Sequence, residues 1–244
     1  MSFAKTKMIV SEKSNDKLID LQCPYCGSPL AFPEGFLGTA QECPHCFETI
    51  VVRSAGSKTG GKLPLPIKTS RLNLRPLRTE DQPDWLEFVT DEDSYRYLSY
   101  YEPDYEDARC WLEDSKVLKL THPKGCLTIG IELQKEAKII GHLPFHLTDS
   151  EGHRQGSFNL MVHPAYRRQG YGTEALLGII EFGFNSIALH DIRVGIDSRN
   201  IAVRQMVEKA GMKLEGEFVE EYRVKGEWVS IVYYVIFSRT WRNA

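Results

Sequence analysis

The segment Ser157-Phe158-Asn159-Leu160-Met161-Val162, followed by His163-Pro164-Ala165-Tyr166 and then Arg167-Arg168-Gln169-Gly170-Tyr171-Gly172-Thr173, decides the reading of this chain. Ser157 to Val162 reads as a strand that Pro164 ends. Thr173 to Phe184 places Leu176, Leu177, Ile180 and Phe184 at helical spacing. A strand, a glycine-bearing loop and a helix start make an anion site, because consecutive backbone N–H groups converge where the helix dipole adds partial positive charge. Gly170 and Gly172 let the backbone come close to an oxygen-rich group and take angles that a Cβ forbids. Arg167 and Arg168 add charge. A pyrophosphate is the ligand that suits such a loop; the plainer alternative is a turn carrying two solvated arginines.

Outward from this segment the pattern alternates between sheet and helix. Arg71 to Arg75, Cys126 to Leu133, Lys138 to Leu147, Ile192 to Ile196, Lys213 to Val224 and Glu227 to Phe237 read as strands. Thr79 to Pro83 reads as a helix start, with helix through Thr90, and a second helix is expected over Glu106 to Leu120. Ala202, Val203, Met206, Val207 and Ala210 form one apolar helical face, with Gly211 as the stop. This order implies an α/β (α+β) sheet with helices packed on it.

Toward the amino terminus the composition changes. Residues 1–20 are polar and unpatterned, and residues 54–65 are rich in glycine, serine, lysine and proline, as a linker is. Between them, residues 21–53 hold Cys23-Pro24-Tyr25-Cys26 and Cys43-Pro44-His45-Cys46, with 16 residues between the pairs. Thiolates at i and i+3 on a tight turn reach one ion together, and two such turns close a tetrahedral shell. The pattern resembles a zinc ribbon with structural zinc on Cys23, Cys26, Cys43 and Cys46; a rubredoxin-like iron site and a redox dithiol pair are the alternatives. About 30 residues bury too little core to fold alone, so metal would supply the folding free energy. Residues 1–62 carry seven Lys/Arg against six Asp/Glu. Such a segment has no basic patch, which argues against nucleic acid and for a protein partner, or the chain's own larger part, as the ribbon's client. The larger part would then run over residues 66–242.

The whole chain of 244 residues has a formal net charge of −3, so no global basic field draws it to nucleic acid or anionic membrane. Six cysteines, four of them in the two pairs, are too few for a disulfide scaffold. The first residues lack the apolar run of a secretion signal, and Val229 to Phe237, the longest apolar stretch, is too short to span a bilayer. The default expectation is a cytoplasmic protein with no membrane partner.

The loop matches R-x-x-G-x-G, the acetyl-CoA pyrophosphate motif of the GNAT superfamily. The likeness extends to Ile67–Leu77 with Glu80-Asp81, Tyr105–Leu112, Ile140-Gly141-His142, Asn200, Glu208–Met212, Leu214-Glu215-Gly216 and Gly226-Glu227-Trp228. These resemble the RimJ/RimL branch, the ribosomal-protein N-terminal acetyltransferases. The resemblance implies a GNAT fold: a mixed, mostly antiparallel twisted sheet flanked by helices. It implies acetyl-CoA as substrate, bound by Met161, Val162, Arg167, Arg168, Gln169, Gly170, Tyr171, Gly172, Thr173 and Asn200, and a sheet splayed between Ser157–Val162 and Ile192–Ile196. The amide of Val162 would polarise the thioester carbonyl while an amine of a protein N-terminus or a small molecule attacks directly in a ternary complex. A homodimer is among the assemblies expected.

Two departures stand out. The branch's serine near the leaving sulfur is Val203 here, and the tyrosine acid of many other GNAT enzymes falls at Val207. A CoA-binding module with weak or no catalysis, serving as a zinc-ribbon adaptor or sensor, is therefore the rival expectation. Asn200 reads equally as an N-cap of the helix from Ile201. The base candidates are His142 and His146, which share a strand face, and His163 at the strand end; a lone strand histidine is more often structural. The tyrosines and acids over residues 91–105 would suit a cationic amine, as a solvated loop also would.

Overall fold

A computed structural model of the chain describes residues 18–37, 39–46, 49–52, 61–62, 65–97, 126–150, 153–224 and 226–241. The helix expected over Glu106–Leu120 and the likeness at Tyr105–Leu112 lie outside the described residues.

The amino-terminal part is two small antiparallel sheets. β1 (Leu18–Gln22) pairs with β2 (Pro29–Pro33), and β3 (Ala40–Glu42) pairs with β4 (Thr49–Val51), which also pairs with β5 (Gly61–Lys62). Pairing thus starts at Leu18, earlier than composition indicated, because Ile19 and Leu21 alternate inward. It also reaches Gly61 and Lys62 within the glycine-rich stretch. Ile19, Leu21, Leu30, Ile50 and Val52 bury against Cys23 and Cys43 in one small core.

The larger part is a sheet of nine strands among the described residues. In chain order these are β6 (Ile67–Lys68), β7 (Leu72–Pro76), β8 (Cys126–Leu133), β9 (Lys138–Ser150), β10 (His153–Phe158), β11 (Met161–Val162), β12 (Asp191–Asp197), β13 (Lys213–Val224) and β14 (Glu227–Phe237). The order across the sheet is β13-β14-β12-β10-β9-β8-β7-β6, with β11 paired to β9. The β10–β12 pair is parallel and the others antiparallel.

Helices cover both faces. α1 (Gln82–Val89) lies on one, with Trp85, Phe88 and Val89 buried against Ile139 and Met161. α2 (Tyr171–Asn185) and α3 (Ile201–Lys209) lie on the other; α4 (Ser238–Trp241) is a single turn after β14. Leu176, Ile179 and Ile180 of α2 are fully buried on Leu72, Leu74, Ile129 and Ile131, and each such side chain stabilises by roughly 1.5–3 kcal/mol. Before α1, the buried Arg75 guanidinium meets Asp81 through two bonds of 2.7 and 2.8 Å and Glu132 at 2.6 Å. Asp81 also accepts the Arg78 amide, so this buried group ties the end of β7 to the start of the helix.

Candidate active site

The expected strand Ser157–Val162 is two strands with a break at Asn159 and Leu160. Pro144 of β9 stands opposite Asn159. It accepts the Asn159 amide at 3.0 Å but has no N–H to return, so the ladder loses a rung there. β10 and β12 pair only over Gln155–Ser157 and Asp191–Arg193. Beyond that point β11 stays with β9, while β12 continues along β14 to Asp197. The two inner edges therefore part, and a V-shaped opening runs between Leu160–Val162 and Val194–Asp197.

Backbone direction along one edge is set by β9. Asn159 and His163 give their amides to Pro144 and Ile140, so by strand alternation the amides of Leu160 and Val162 point into the opening. Gly141 makes the close pairing of β11 and β9 tenable: a Cβ there would overlap the Met161 carbonyl oxygen and lie 3.2 Å from Val162 Cα.

At the mouth of the opening lies the start of α2. Gly170, at φ 85°, is its N-cap residue, and no side chain caps the helix. The first amides of this helix of 15 residues are thus taken up by no side chain and lie open to solvent or an anion. Arg168 also sits at positive φ (59°) with its side chain exposed. Gly172 lets α2 approach α3, since a Cβ would meet Met206 Sδ at 3.1 Å. Thr173 follows in the half-buried first turn.

Side chains from elsewhere hold the loop. Arg71 lies over the Tyr171 ring at 4.3 Å, donates to the Gln169 carbonyl at 3.0 Å and pairs with Glu174 at 2.7 Å. Glu174 accepts further bonds from Thr69, Ser70 and the Arg71 amide. Burial pushes this carboxyl up, but those bonds outweigh it and hold it below its ordinary range. Gln169 itself donates to the Ala165 carbonyl.

Arg167 does not turn toward the loop amides. Its Nε donates to the Val162 carbonyl at 2.9 Å and a terminal nitrogen donates to Ser94 Oγ at 2.7 Å, with Asp91 at 3.7 Å. It braces the free edge of β11 against the turn after α1. Asn200 accepts the Val203 amide at 3.2 Å, the N-cap geometry. Val203 packs beside the main core and Val207 is fully buried, so neither position offers a proton.

The three histidines separate. His142 is 4% exposed and its Nδ1 accepts the Trp85 indole N–H at 2.7 Å. Burial pushes its imidazole down to about 4, so it is a neutral packing residue and not a base. His163 caps the turn at Pro164–Tyr166 by accepting the Ala165 amide, and packs edge-on to Phe88. His146 is half-buried on the α1 face, and burial lowers its affinity for protons as well.

The four cysteine sulfurs lie within 4.8 Å of one another, with Cys23–Cys46 at 3.6 Å and Cys26–Cys43 at 3.7 Å. A tetrahedral shell with bonds of about 2.3 Å requires sulfurs about 3.8 Å apart, so the set fits one zinc ion. Gly27, at φ 75°, closes the first knuckle, and hydrogen bonding with Ser28 pulls the Cys26 thiol down to about 6.

With this geometry in place, the comparisons decide the family. The model of the acetyltransferase (GNAT) domain matches residues 71–213. The chain belongs to the GNAT acetyltransferases. YnaD of Bacillus subtilis, an uncharacterized N-acetyltransferase, is 27% identical over 175 residues, 72% of this chain and 98% of that protein. A GNAT-family acetyltransferase structure from Bacillus anthracis superposes with TM-score 0.63 at 25% identity, covering 70% of this chain and 98% of that one. Mycobacterium smegmatis RimJ, solved in complex with CoA-disulfide, shares the fold with TM-score 0.61 at 20% identity, over 72% of this chain and 85% of that one. The protein is thus a GNAT-family N-acetyltransferase, with the mixed sheet and flanking helices that the resemblance implied.

Proposed function

We propose that this GNAT enzyme moves the acetyl group of acetyl-CoA to the amine of a protein N-terminus or a small molecule by direct attack within a ternary complex. The observation that carries the proposal is the parting of β11 from β12 with the uncapped start of α2 at its mouth. A pantetheine arm fits between the two edges, and a pyrophosphate suits the amides of Tyr171, Gly172 and Thr173 with Arg168 and Gln169 beside them. The Val162 amide, aimed into the opening, suits the thioester carbonyl and stabilises the oxyanion as the amine adds. Met161 pairs the same strand to β9. Arg167 acts by holding the Val162 carbonyl, and Asn200 by capping α3. The neutral amine attacks, forming the C–N bond as the C–S bond breaks; the nitrogen's proton leaves to water and, with Val203 and Val207 in place of acids, the CoA thiolate takes its proton from water.

The same proposal divides the chain into a zinc ribbon over about residues 21–53 and a transferase domain over 66–242, joined through 54–65. Cys23, Cys26, Cys43 and Cys46 would hold a structural zinc ion, and the ribbon serves to dock a protein. The test is thiol release from acetyl-CoA over a set of free-amine peptides and polyamines, with mass analysis of the acceptor. An acetylated amine formed with stoichiometric thiol supports the reading. CoA release with no acetylated amine overturns transfer, and failure to bind CoA overturns the site.

A further inference from the structure

The hairpin of β13 and β14 contains a feature that acetyl-CoA does not explain. β13 loses register with β14 between Phe218 and Tyr222, and within that break Glu220 sits at φ 52°, its amide donating to Ser230 Oγ at 3.1 Å. Left-handed backbone is unfavourable for glutamate, so the bulge is held by its surroundings. Its effect is to send Glu220 to solvent and turn the next residue, Glu221, partly inward. One Glu221 oxygen accepts the Tyr233 hydroxyl at 3.1 Å, and the Tyr222 hydroxyl lies 3.5 Å from that of Tyr233. The other oxygen, Oε2, is shielded from solvent and has no hydrogen-bond partner among the described residues. A shielded carboxylate oxygen without a donor is costly, and folded proteins keep few of them.

The place of this group matters. Tyr233 pairs with Gly195 of β12, and its ring lies 3.0 Å from where a Gly195 Cβ would be. Gly195 comes after Arg193, the last β12 residue that β10 pairs, so it is on the edge of the opening. Tyr233 therefore leans over the parting edge with Glu221 behind it. Phe218 stacks edge-on to Tyr233 at 5.3 Å, and Glu217, Glu220 and Glu227 stand exposed on the same hairpin.

We propose that Glu221, held by Tyr233, anchors the ammonium group of the acceptor, and so restricts this enzyme to cationic amines. This rests on the transferase reading given above. An ammonium brings three N–H donors and a positive charge, which Oε2 lacks and which the aromatic rings also favour. The exposed glutamates raise the local concentration of cations. The anchored ammonium gives a proton to water before the neutral amine attacks, and the acetylated product, having lost its charge, has no comparable hold on Glu221.

The test is calorimetry on the full-length, CoA-saturated protein, with spermidine and a short peptide bearing a free amino terminus as probes. At least one probe binds the wild type, and the same peptide with an acetylated amino terminus does not. Glu221→Gln weakens that probe tenfold or more, Tyr233→Phe weakens it a few-fold, and Glu181→Gln, exposed on α2 and off the hairpin, leaves it unchanged. All three variants bind CoA like the wild type, and Glu221→Gln melts at the same or a higher temperature because a shielded charge is gone. Binding of neither probe to the wild type overturns the proposal. So does unchanged probe affinity in Glu221→Gln, and a lowered melting point beside it would mark a residue that only supports the hairpin. Loss of CoA binding by the wild type would instead refute the transferase reading.

Discussion

Replacing Gly141 by alanine is expected to damage acetyl-CoA use more than stability alone explains. The new Cβ would overlap the Met161 carbonyl oxygen and sit 3.2 Å from both Val162 Cα and Ile131 Cδ1. Two of those neighbours are backbone of β11, which cannot rotate aside, so β11 must retreat from β9 by about 1 Å to reach ordinary contact distance. Overpacking of this kind costs about 1–3 kcal/mol of folding stability. The same retreat displaces the Val162 amide, and a misplacement of about 1 Å at a reacting centre can lower the rate on the order of 100-fold. Gly130→Ala is the control. Its Cβ would meet chiefly the ends of the Leu77 and Ile139 side chains, at 2.7 and 3.1 Å, away from the opening. Urea unfolding and kcat/KM for acetyl-CoA are measured for both. Stability should fall in both variants, and kcat/KM should collapse only in Gly141→Ala. Equal kcat/KM in the two variants would refute the argument that β11 sets the carbonyl donor.

Other consequences follow from the polar groups. Asp81→Ala leaves the Arg75 guanidinium, 7% exposed as a residue, with Glu132 as its remaining carboxylate, and should cost about 1.5–3 kcal/mol by denaturant titration, whereas an exposed pair such as Arg96–Asp93 should cost under about 1 kcal/mol. Asp191 is fully shielded; burial pushes it up, but bonds from His190, His153, Gln155 and Arg193 outweigh this and hold it down to about 2. A depressed folded-state value means its contribution is complete above the ordinary 3.8 and is lost as pH falls from there toward 2. Wild type should therefore lose about 2 kcal/mol over that window that Asp191→Asn does not, as read from acid unfolding curves. Cys43→Ser, or a strong chelator, should remove one equivalent of zinc by elemental analysis and abolish the protected amides of β1 to β4, while the unfolding transition of the large sheet persists.

How much of this was legible beforehand depended on whether the cause was local. The loop at Arg167–Gly172 was readable because a strand, two glycines and a helix start are adjacent in the chain, and the cysteine knuckles because ligand spacing is a short-range constraint. The stop at Gly211, at φ 86°, was readable for the same reason. Interactions between distant residues were not. Arg71 clamps Gln169 and Glu174 across about a hundred residues, and nothing near Arg71 signals it. The break at Asn159 comes from Pro144 on the neighbouring strand. A proline inside a predicted strand was a visible warning, but its victim could be named only once the register was known. The even spacing of His142 and His146 correctly placed them on one face. That face packs on Trp85 and Phe88 of α1, and this turns His142 from a base candidate into a core residue. Arg167 was expected at the phosphates; instead the Val162 carbonyl, five residues earlier, captures it.

The central claim, that acetyl-CoA lies between β11 and β12 with its pyrophosphate on α2, is tested most directly by amide hydrogen exchange with and without acetyl-CoA. The account predicts slowed exchange confined to two short segments, Leu160–Val162 and Tyr171–Thr173, with the distant β7–β8 ladder unchanged. Slowed exchange elsewhere with both segments unaffected would contradict it.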